Sequence, residues 1–238
     1  VTEWFEEWFG EEYLQLYPHR DDAEAARAVA LLVEATGLQP GWRVLDVACG
    51  AGRHARAFRA AAARCFGVDL SATLLRVART VTDAPLVRAD MRALPIRAQS
   101  MDLTVNLFTS FGYFEREVEH AAALREMVAT VRPGGWFAID FLNPATVRAR
   151  LVPCERLAVK GREVEVTRTL SSDGHHVCKT IRTTEGRRFV ERVRLFEPPE
   201  IEAMLGRAGV TVRHRFGDYD ASPMLPGSPR TILAGQAA

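Results

Sequence analysis

Val44-Leu45-Asp46-Val47-Ala48-Cys49-Gly50-Ala51-Gly52-Arg53-His54-Ala55 is an apolar run that ends in an acid and a glycine turn, followed by residues able to open a helix. A short apolar run of this kind reads as a buried parallel strand. Glycines at its carboxyl end let the backbone turn sharply and approach a bound molecule with no Cβ in the way. Open α/β sheets bind ligands beyond the carboxyl ends of their strands, where the next helix also presents unpaired N–H groups. The stretch therefore predicts an α/β fold with a nucleotide-type cofactor at its glycine turn.

Residues 50–55 also fit the dinucleotide fingerprint G-x-G-x-x-G/A, so a nicotinamide cofactor competes for the same turn. The next two strands discriminate. Arg64-Cys65-Phe66-Gly67-Val68-Asp69 and Pro85-Leu86-Val87-Arg88-Ala89-Asp90 each end in an acid, on the sheet edge that carries the glycine turn. An ionised carboxylate only accepts, and it takes two donors at once, which suits ribose hydroxyls and an adenine amino group. Strand-end acids also serve as helix N-caps, a role open to Asp69 or Ser71 here. Three chemically apt strand ends in order, then Pro133-Gly134-Gly135 before another apolar strand, are harder to explain as capping alone.

With these residues the chain resembles the class I S-adenosylmethionine-dependent methyltransferases of the small-molecule type, with a C-terminal antiparallel β insert. The resemblance covers most of the sequence: its first motif at residues 44–52, its ribose-binding acid at Asp69, its adenine-side acid at Asp90 with Met91 following, its fourth-strand motif at 101–114, and the Pro-Gly-Gly turn. Where many members carry a first glycine, this chain has Ala48. The resemblance implies S-adenosyl-L-methionine as cofactor, with Asp69 on the ribose, Asp90 and Met91 around adenine, and Ala48, Gly50 and Gly52 beside the methionine part. Asp46 orders the turn or meets the ammonium through water, Leu70 and Leu107 pack the adenosine, and Tyr17 closes over the site. A seventh strand reversed against the rest is also implied. An NAD-dependent oxidoreductase is the enzyme alternative, and Asp90, the Pro-Gly-Gly turn and the reversed strand count against it. A binding protein for the same cofactor that has lost catalysis is the non-enzyme alternative.

The 238 residues, 47% of them hydrophobic, suffice for one large α/β core with a small appended unit. Thirty-one basic against 30 acidic residues leave a formal charge of +1, so no global field gathers a polyanion. DNA is not expected as a partner; the tetrad that accompanies amino methylation of bases is absent, since Asn143-Pro144-Ala145-Thr146 follows the fifth strand and lacks the second proline and the aromatic. Arginines 182, 187, 188, 192 and 194 could touch RNA, but alternating charge on an exposed sheet face explains them better. The four cysteines show no C-x-x-C spacing and read as reduced packing residues. Asn106-Leu107-Phe108-Thr109 offers no acidic oxygen ligands, so no metal is expected. The acidic, aromatic start, Glu3-Trp4-Phe5-Glu6-Glu7-Trp8-Phe9, is unlike a targeting peptide, no run has the length of a membrane span, and the cytoplasm is the expected compartment.

Four segments follow. Residues 1–40 hold an amphipathic lid helix (2–17) and a first helix ending at Gly37; 41–151 form the cofactor-binding core, where alternating strands and helices imply a doubly wound parallel, Rossmann-like sheet of seven strands. From 152 to 196 the period becomes two, which predicts a three-stranded antiparallel insert whose edge offers a pairing surface for a homodimer. Residues 197–238 complete the core sheet with its sixth and seventh strands. The long link between those strands, 218–225, begins and ends on the cofactor face, so it is expected to wall an acceptor pocket with the lid, residues 109–114 and residues 143–146.

Methyl transfer to a small-molecule N or O acceptor is an in-line displacement, and positioning of the reactants carries much of the barrier reduction, on the order of 7–11 kcal/mol. A neutral amine needs little base, whereas a phenol or alcohol gains from one. Tyr113, Glu115, Asp140, Asp218 and Tyr219 are candidate bases by topology, with Asp218 or Tyr219 preferred.

Overall fold

The computed structural model describes residues 3–16, 22–159 and 162–238. After two short helices, α1 (Trp4–Trp8) and α2 (Glu11–Leu16), and a longer α3 (Asp22–Thr36), the core alternates β1 (Arg43–Val47), α4 (Arg53–Ala60), β2 (Arg64–Asp69), α5 (Ala72–Val81), β3 (Leu86–Arg88), β4 (Met101–Asn106), α6 (Glu117–Ala129) and β5 (Val131–Leu142). A short α7 (Pro144–Ala149) leads into a separate sheet of β6 (Cys154–Val159), β7 (Arg162–Leu170), β8 (His176–Thr183) and β9 (Arg188–Arg194). The chain then returns through α8 (Pro198–Arg207) to β10 (Val210–Phe216) and β11 (Arg230–Ala237).

The main sheet runs β10-β11-β5-β4-β1-β2-β3, and the reversed strand is β11, antiparallel to both its neighbours. This is the doubly wound, seven-stranded fold expected from the sequence. Alternation along β5 shows why it is stable. Phe137, Ile139 and Phe141 face Leu124 and Met127 of α6 and Leu205 of α8, while Ala138 joins Val44, Leu103 and Val105 against Val29 and Leu32 of α3 and Phe58 of α4. Each large side chain buried this way contributes about 1.5–3 kcal/mol.

Two expectations need correction. The lid is two helices, not one, because Phe9 leaves the helical region at ψ 58° and the Gly10 N–H turns back to the Trp8 carbonyl. Glu11 and Glu12 then stabilise a new N-terminus. The antiparallel sheet has four strands, not three, in the order β6-β7-β8-β9. β6 is an edge strand with most of its residues exposed, so its sequence lacks the apolar alternation that betrays the others.

The lid lies between core and insert. Trp8 and Tyr13 pack with Val164, Val166 and Ile181 of the insert and Leu74 of α5. Ser71 caps α5 by accepting from the Leu74 N–H and donates to the Phe9 carbonyl. Glu11 pairs with Arg76 of α5, Glu12 with Arg187 in the β8–β9 turn, and Glu3 with Arg92 beyond β3. The insert is joined to the core at Arg194, whose N–H donates to Gly112 and whose guanidinium pairs with Glu117 at 2.9 Å and Glu200 at 3.1 Å. Gly112, at φ +93°, permits this approach, since a Cβ there would stand 2.9 Å from the Arg194 carbonyl oxygen. None of the described helices is long and apolar enough to cross a membrane.

His120 of α6 is 1% exposed among the rings of Phe111, Phe114 and Phe196. Burial pushes its imidazole down to about 4, against an opposing pull from Glu117. The unfolded chain then binds more protons than the folded one between pH 4 and about 6.5, so stability is lost as pH falls through that window. The loss should approach about 3 kcal/mol at its acid end. Urea midpoints measured from pH 4 to 7 should show this slope, and His120→Leu should flatten it; an unchanged slope in the variant would assign acid sensitivity elsewhere.

Candidate cofactor and acceptor site

The carboxyl ends of β1, β2 and β3 open onto a cavity of about 520 Å³ covered by α1 and α2, within the size range of small-molecule sites. β1 contributes Val47, Ala48 and Gly50 to the lining, β2 contributes Asp69 and Leu70, and the end of β3 contributes Asp90 and Met91. The lid supplies Phe5, Phe9 and Tyr13, and the loop after β4 supplies Ser110, Tyr113 and Phe114.

Asp69 organises the glycine turn. Its Oδ2 accepts from the Gly50 N–H and its Oδ1 from the Ser71 N–H, each at 2.8 Å. Both oxygens keep further acceptor capacity. Burial pushes this carboxyl above the usual range, against the N–H groups of Ser71 and Gly50. Asp46 is buried behind the turn with Oδ2 lacking any hydrogen-bond partner. Burial first, and then the charge of Asp69, push the Asp46 carboxyl up to about 8, with Arg53 pulling the other way. Asp69 lines the cavity, whereas Asp46 stands off the lining, buried next to Asp69.

The backbone of the turn is strained at one point. Ala48 sits at φ +60°, a left-handed conformation that costs an L-residue about 1–2 kcal/mol. The alanine therefore matters through its conformation as well as its size. Gly52, at φ +84°, does not line the cavity; a Cβ on it would stand 3.0 Å from the Ala78 Cβ and 3.1 Å from the Thr82 Cγ2, so it serves the packing of α4 on α5. Leu107 is buried in the α3–α4 side of the core and likewise stands off the lining. Tyr17 lies outside the described residues.

Asp90 does not stand alone. Arg92 donates from its backbone N–H and Nε to Oδ1, and from Nε and Nη2 to Oδ2, at 2.6–3.1 Å. The same guanidinium binds both oxygens of Glu3 in the lid and Oε1 of Glu119 on α6. Its carbon stands 4.7 Å from the Phe114 ring centroid and 6.0 Å from that of Phe5.

A second buried cluster holds the loop after β4. Asp140 accepts from the Phe108 N–H at 2.9 Å, from the Tyr219 hydroxyl at 2.6 Å and from both Nε and Nη2 of Arg230. Its carbonyl takes the Thr109 N–H. Phe108 and Thr109 are both left-handed, at φ +59° and +60°. The cluster thus pins a strained backbone just before Ser110, Tyr113 and Phe114.

Of the five candidate bases only Tyr113 lines the cavity, and its hydroxyl donates to the Thr109 carbonyl at 2.7 Å; Glu115, Asp140 and the preferred Asp218 and Tyr219 do not. Tyr219 stands outside, committed to Asp140, with its ring packed on Ala28, Leu31 and Ile232. Burial, then the charge of Asp140, push its phenol far above the ordinary range. Asp218 accepts the Tyr219 N–H. Residues 143–146 and 218–225 do not line the cavity either; they fasten to each other, with Asn143 Nδ2 donating to the carbonyls of Leu225 and Pro226. Among the described residues no group of three or more His, Cys, Asp or Glu is placed to hold a metal ion. Burial pushes the thiols of Cys49 and Cys65 far up, which makes them packing groups and not nucleophiles.

A family model described as a methyltransferase domain matches residues 44–135. The dTDP-3-amino-3,6-dideoxy-alpha-D-glucopyranose N,N-dimethyltransferase of Streptomyces fradiae is 30% identical over 199 residues, covering 78% of this chain and 76% of the relative. Other curated relatives, among them a demethylmenaquinone methyltransferase from Mycobacterium sp., are spanned over about half their length. The CcbJ methyltransferase from Streptomyces caelestis shares the fold over 97% of this chain and 98% of its own, at a TM-score of 0.80 and 21% identity. CalS10 from Micromonospora echinaspora, described as an amino pentose methyltransferase and solved with S-adenosylmethionine bound, does so over 96% and 97%, at a TM-score of 0.71 and 22% identity.

Proposed function

Because this chain belongs to the S-adenosylmethionine-dependent methyltransferases, we propose that it methylates an amine on a small polar acceptor of the amino-sugar class. When bound, the cofactor supplies an electrophilic methyl group on a sulfonium. The residues present suit it: a cavity of fitting size, backbone at Gly50 open to it, and the carboxyl groups of Asp69 and Asp90 in its lining. In this reading Asp69 takes the ribose hydroxyls, Asp90 and Met91 face adenine, Leu70 packs the adenosine, and Ala48 and Gly50 border the methionine part.

The observation that carries the amine is the commitment of the hydroxyls beside the aromatic end. Tyr113 donates to Thr109 and Ser110 donates to the Leu107 carbonyl, so each hydroxyl keeps its own proton, and a neutral hydroxyl is too weak a base to deprotonate a phenol or alcohol acceptor. A neutral amine brings its own lone pair. Phe5, Phe9, Tyr13, Tyr113 and Phe114 then hold the acceptor and exclude water. The amino-sugar dimethyltransferase relative supports the same class. A panel of nucleotide-linked amino sugars, free amino sugars and phenols, read by S-adenosylhomocysteine formation, tests this: turnover is expected with an amine, and turnover with phenols alone would replace it by O-methylation. The proposal excludes DNA as acceptor, sets the enzyme in the cytoplasm in keeping with its unpaired cysteines, and has two copies pair along the exposed β6 edge.

The raised Asp46 carboxyl gives cofactor binding a pH dependence. Below about pH 8 the free protein holds a proton there. A bound cation favours the carboxylate, so binding releases the proton and affinity rises with pH. Titration calorimetry between pH 6 and 8 should show affinity rising up to about tenfold per unit, with buffer-dependent heats. Asp46→Asn should abolish both, and a flat profile in the parent protein would refute the linkage.

A further inference from the structure

We propose that Arg92 is a positioning residue that couples recognition of adenine at Asp90 to the seating of the lid over the cavity. The proposal rests on the reading of Asp90 as the adenine-side acid.

Arg92 touches four parts of the molecule at once: Asp90 beyond β3, Glu3 and Phe5 at the lid, Phe114 in the loop after β4, and Glu119 on α6. Its side chain is 23% exposed, so these contacts are partly shielded from water. The planar fork spans both carboxylates: Nη2 reaches Asp90 Oδ2 and Glu3 Oε2 at 2.6 Å each, while Nη1 reaches Glu3 Oε1 at 3.2 Å and Glu119 Oε1 at 3.1 Å. A guanidinium cannot turn to suit one partner without moving against the others. The plane of the Asp90 carboxylate is therefore set by where the lid and α6 hold Arg92. Glu3 does not line the cavity, whereas Asp90, Phe5 and Phe114 do. A change at Glu3 can reach the ligand only through Arg92 or through the lid it holds.

The ligands for the test are S-adenosylhomocysteine and S-inosylhomocysteine, whose base carries an oxygen in place of the 6-amino group. Their dissociation constants are measured by calorimetry for the parent protein, Glu3→Gln, Arg92→Met, the double variant and Asp90→Asn. Hydrogen exchange of residues 4–14 with and without each ligand reports on the lid, and thermal midpoints report on folding. Glu3→Gln and Arg92→Met should each weaken the adenine ligand about five- to tenfold, weaken the inosine ligand less than about twofold, and reduce ligand-induced protection of the lid. The double variant should be no weaker than Arg92→Met alone. Equal weakening of both ligands with discrimination intact would leave Arg92 a purely structural residue and overturn the proposal, as would full affinity and protection in Glu3→Gln. Asp90→Asn separates the premise: if it keeps the parent's discrimination between the ligands, the assignment of Asp90 to adenine fails and the coupling falls with it.

Discussion

Replacing Asp140 by alanine is expected to cost the fold about 3–5 kcal/mol, because it strands the Arg230 guanidinium in a buried site. Arg230 has Asp140 as its carboxylate partner, with Thr109 and the faces of Phe108 and Tyr219 around it. The Tyr219 hydroxyl and the Phe108 N–H lose their acceptor in the same step. Removal of the cation together with the anion, as in Asp140→Leu with Arg230→Met, should recover much of the loss, since an apolar pair leaves no uncompensated charge. Activity should suffer even where the variant folds. Two consecutive left-handed residues, neither of them glycine, have no reason to stay so without Asp140. As the loop relaxes, Tyr113 and Phe114 leave the cavity wall, and kcat/KM should fall about a hundredfold, the usual result of misplacing reactants by an ångström. Urea unfolding and steady-state kinetics check the two effects separately. A loss below about 1 kcal/mol for Asp140→Ala would mean that water reaches Arg230 and that the cluster is not the brace described.

Asp69→Ala is expected to weaken S-adenosylmethionine binding by two orders of magnitude or more. Two charge-assisted hydrogen bonds to vicinal hydroxyls contribute about 1.5–3 kcal/mol each, and the Gly50 and Ser71 N–H groups lose the acceptor that shapes the turn. Asp69→Asn should lose less, because its amide oxygen still accepts. The apo protein should respond in the opposite direction. Burial raises the Asp69 carboxyl, so keeping it ionised in the fold costs stability as pH rises above the ordinary carboxylate range. Asp69→Asn removes that cost, so its stability should fall less than the parent protein's as pH is raised. Calorimetric titration and thermal melts across pH distinguish the two roles. Undiminished affinity in Asp69→Ala would remove Asp69 from the ribose.

The sheet was legible because its signals are local. Apolar runs at 44–47 and 136–141, the glycine turn and the strand-end acids each fit one element, and the order of elements restricts the topology. The lid break at Gly10 and the edge strand β6 were not legible, since a lone glycine inside a helical pattern and an exposed strand carry no periodic signature. Asp69, Asp90, Gly50, Leu70, Met91 and Ala48 line one cavity. The preference for Asp218 and Tyr219 followed from the correct inference that their loop lies on the cofactor face, but topology does not say which way a side chain turns. Asp140 held the missing clue. An acid inside Phe137-Ala138-Ile139-Asp140-Phe141 must find a buried partner, and the basic residue that opens the antiparallel neighbour, Arg230, is two residues away in register. Arg92 was hidden for a different reason: its partners are scattered over residues 3, 90, 114 and 119, and no local pattern joins them.

Three arginines in separate parts of the chain, Arg76, Arg92 and Arg187, pair with glutamates of the lid, while Trp8 and Tyr13 are among its apolar anchors. Its polar fastenings weaken as salt is added, whereas its aromatic ones do not. In the proposed reading, spent cofactor beneath the lid leaves as the lid lifts, a step of the kind that commonly sets the pace of an enzyme. Ionic strength then acts as a clock setting, with more salt expected to shorten the residence time of spent cofactor.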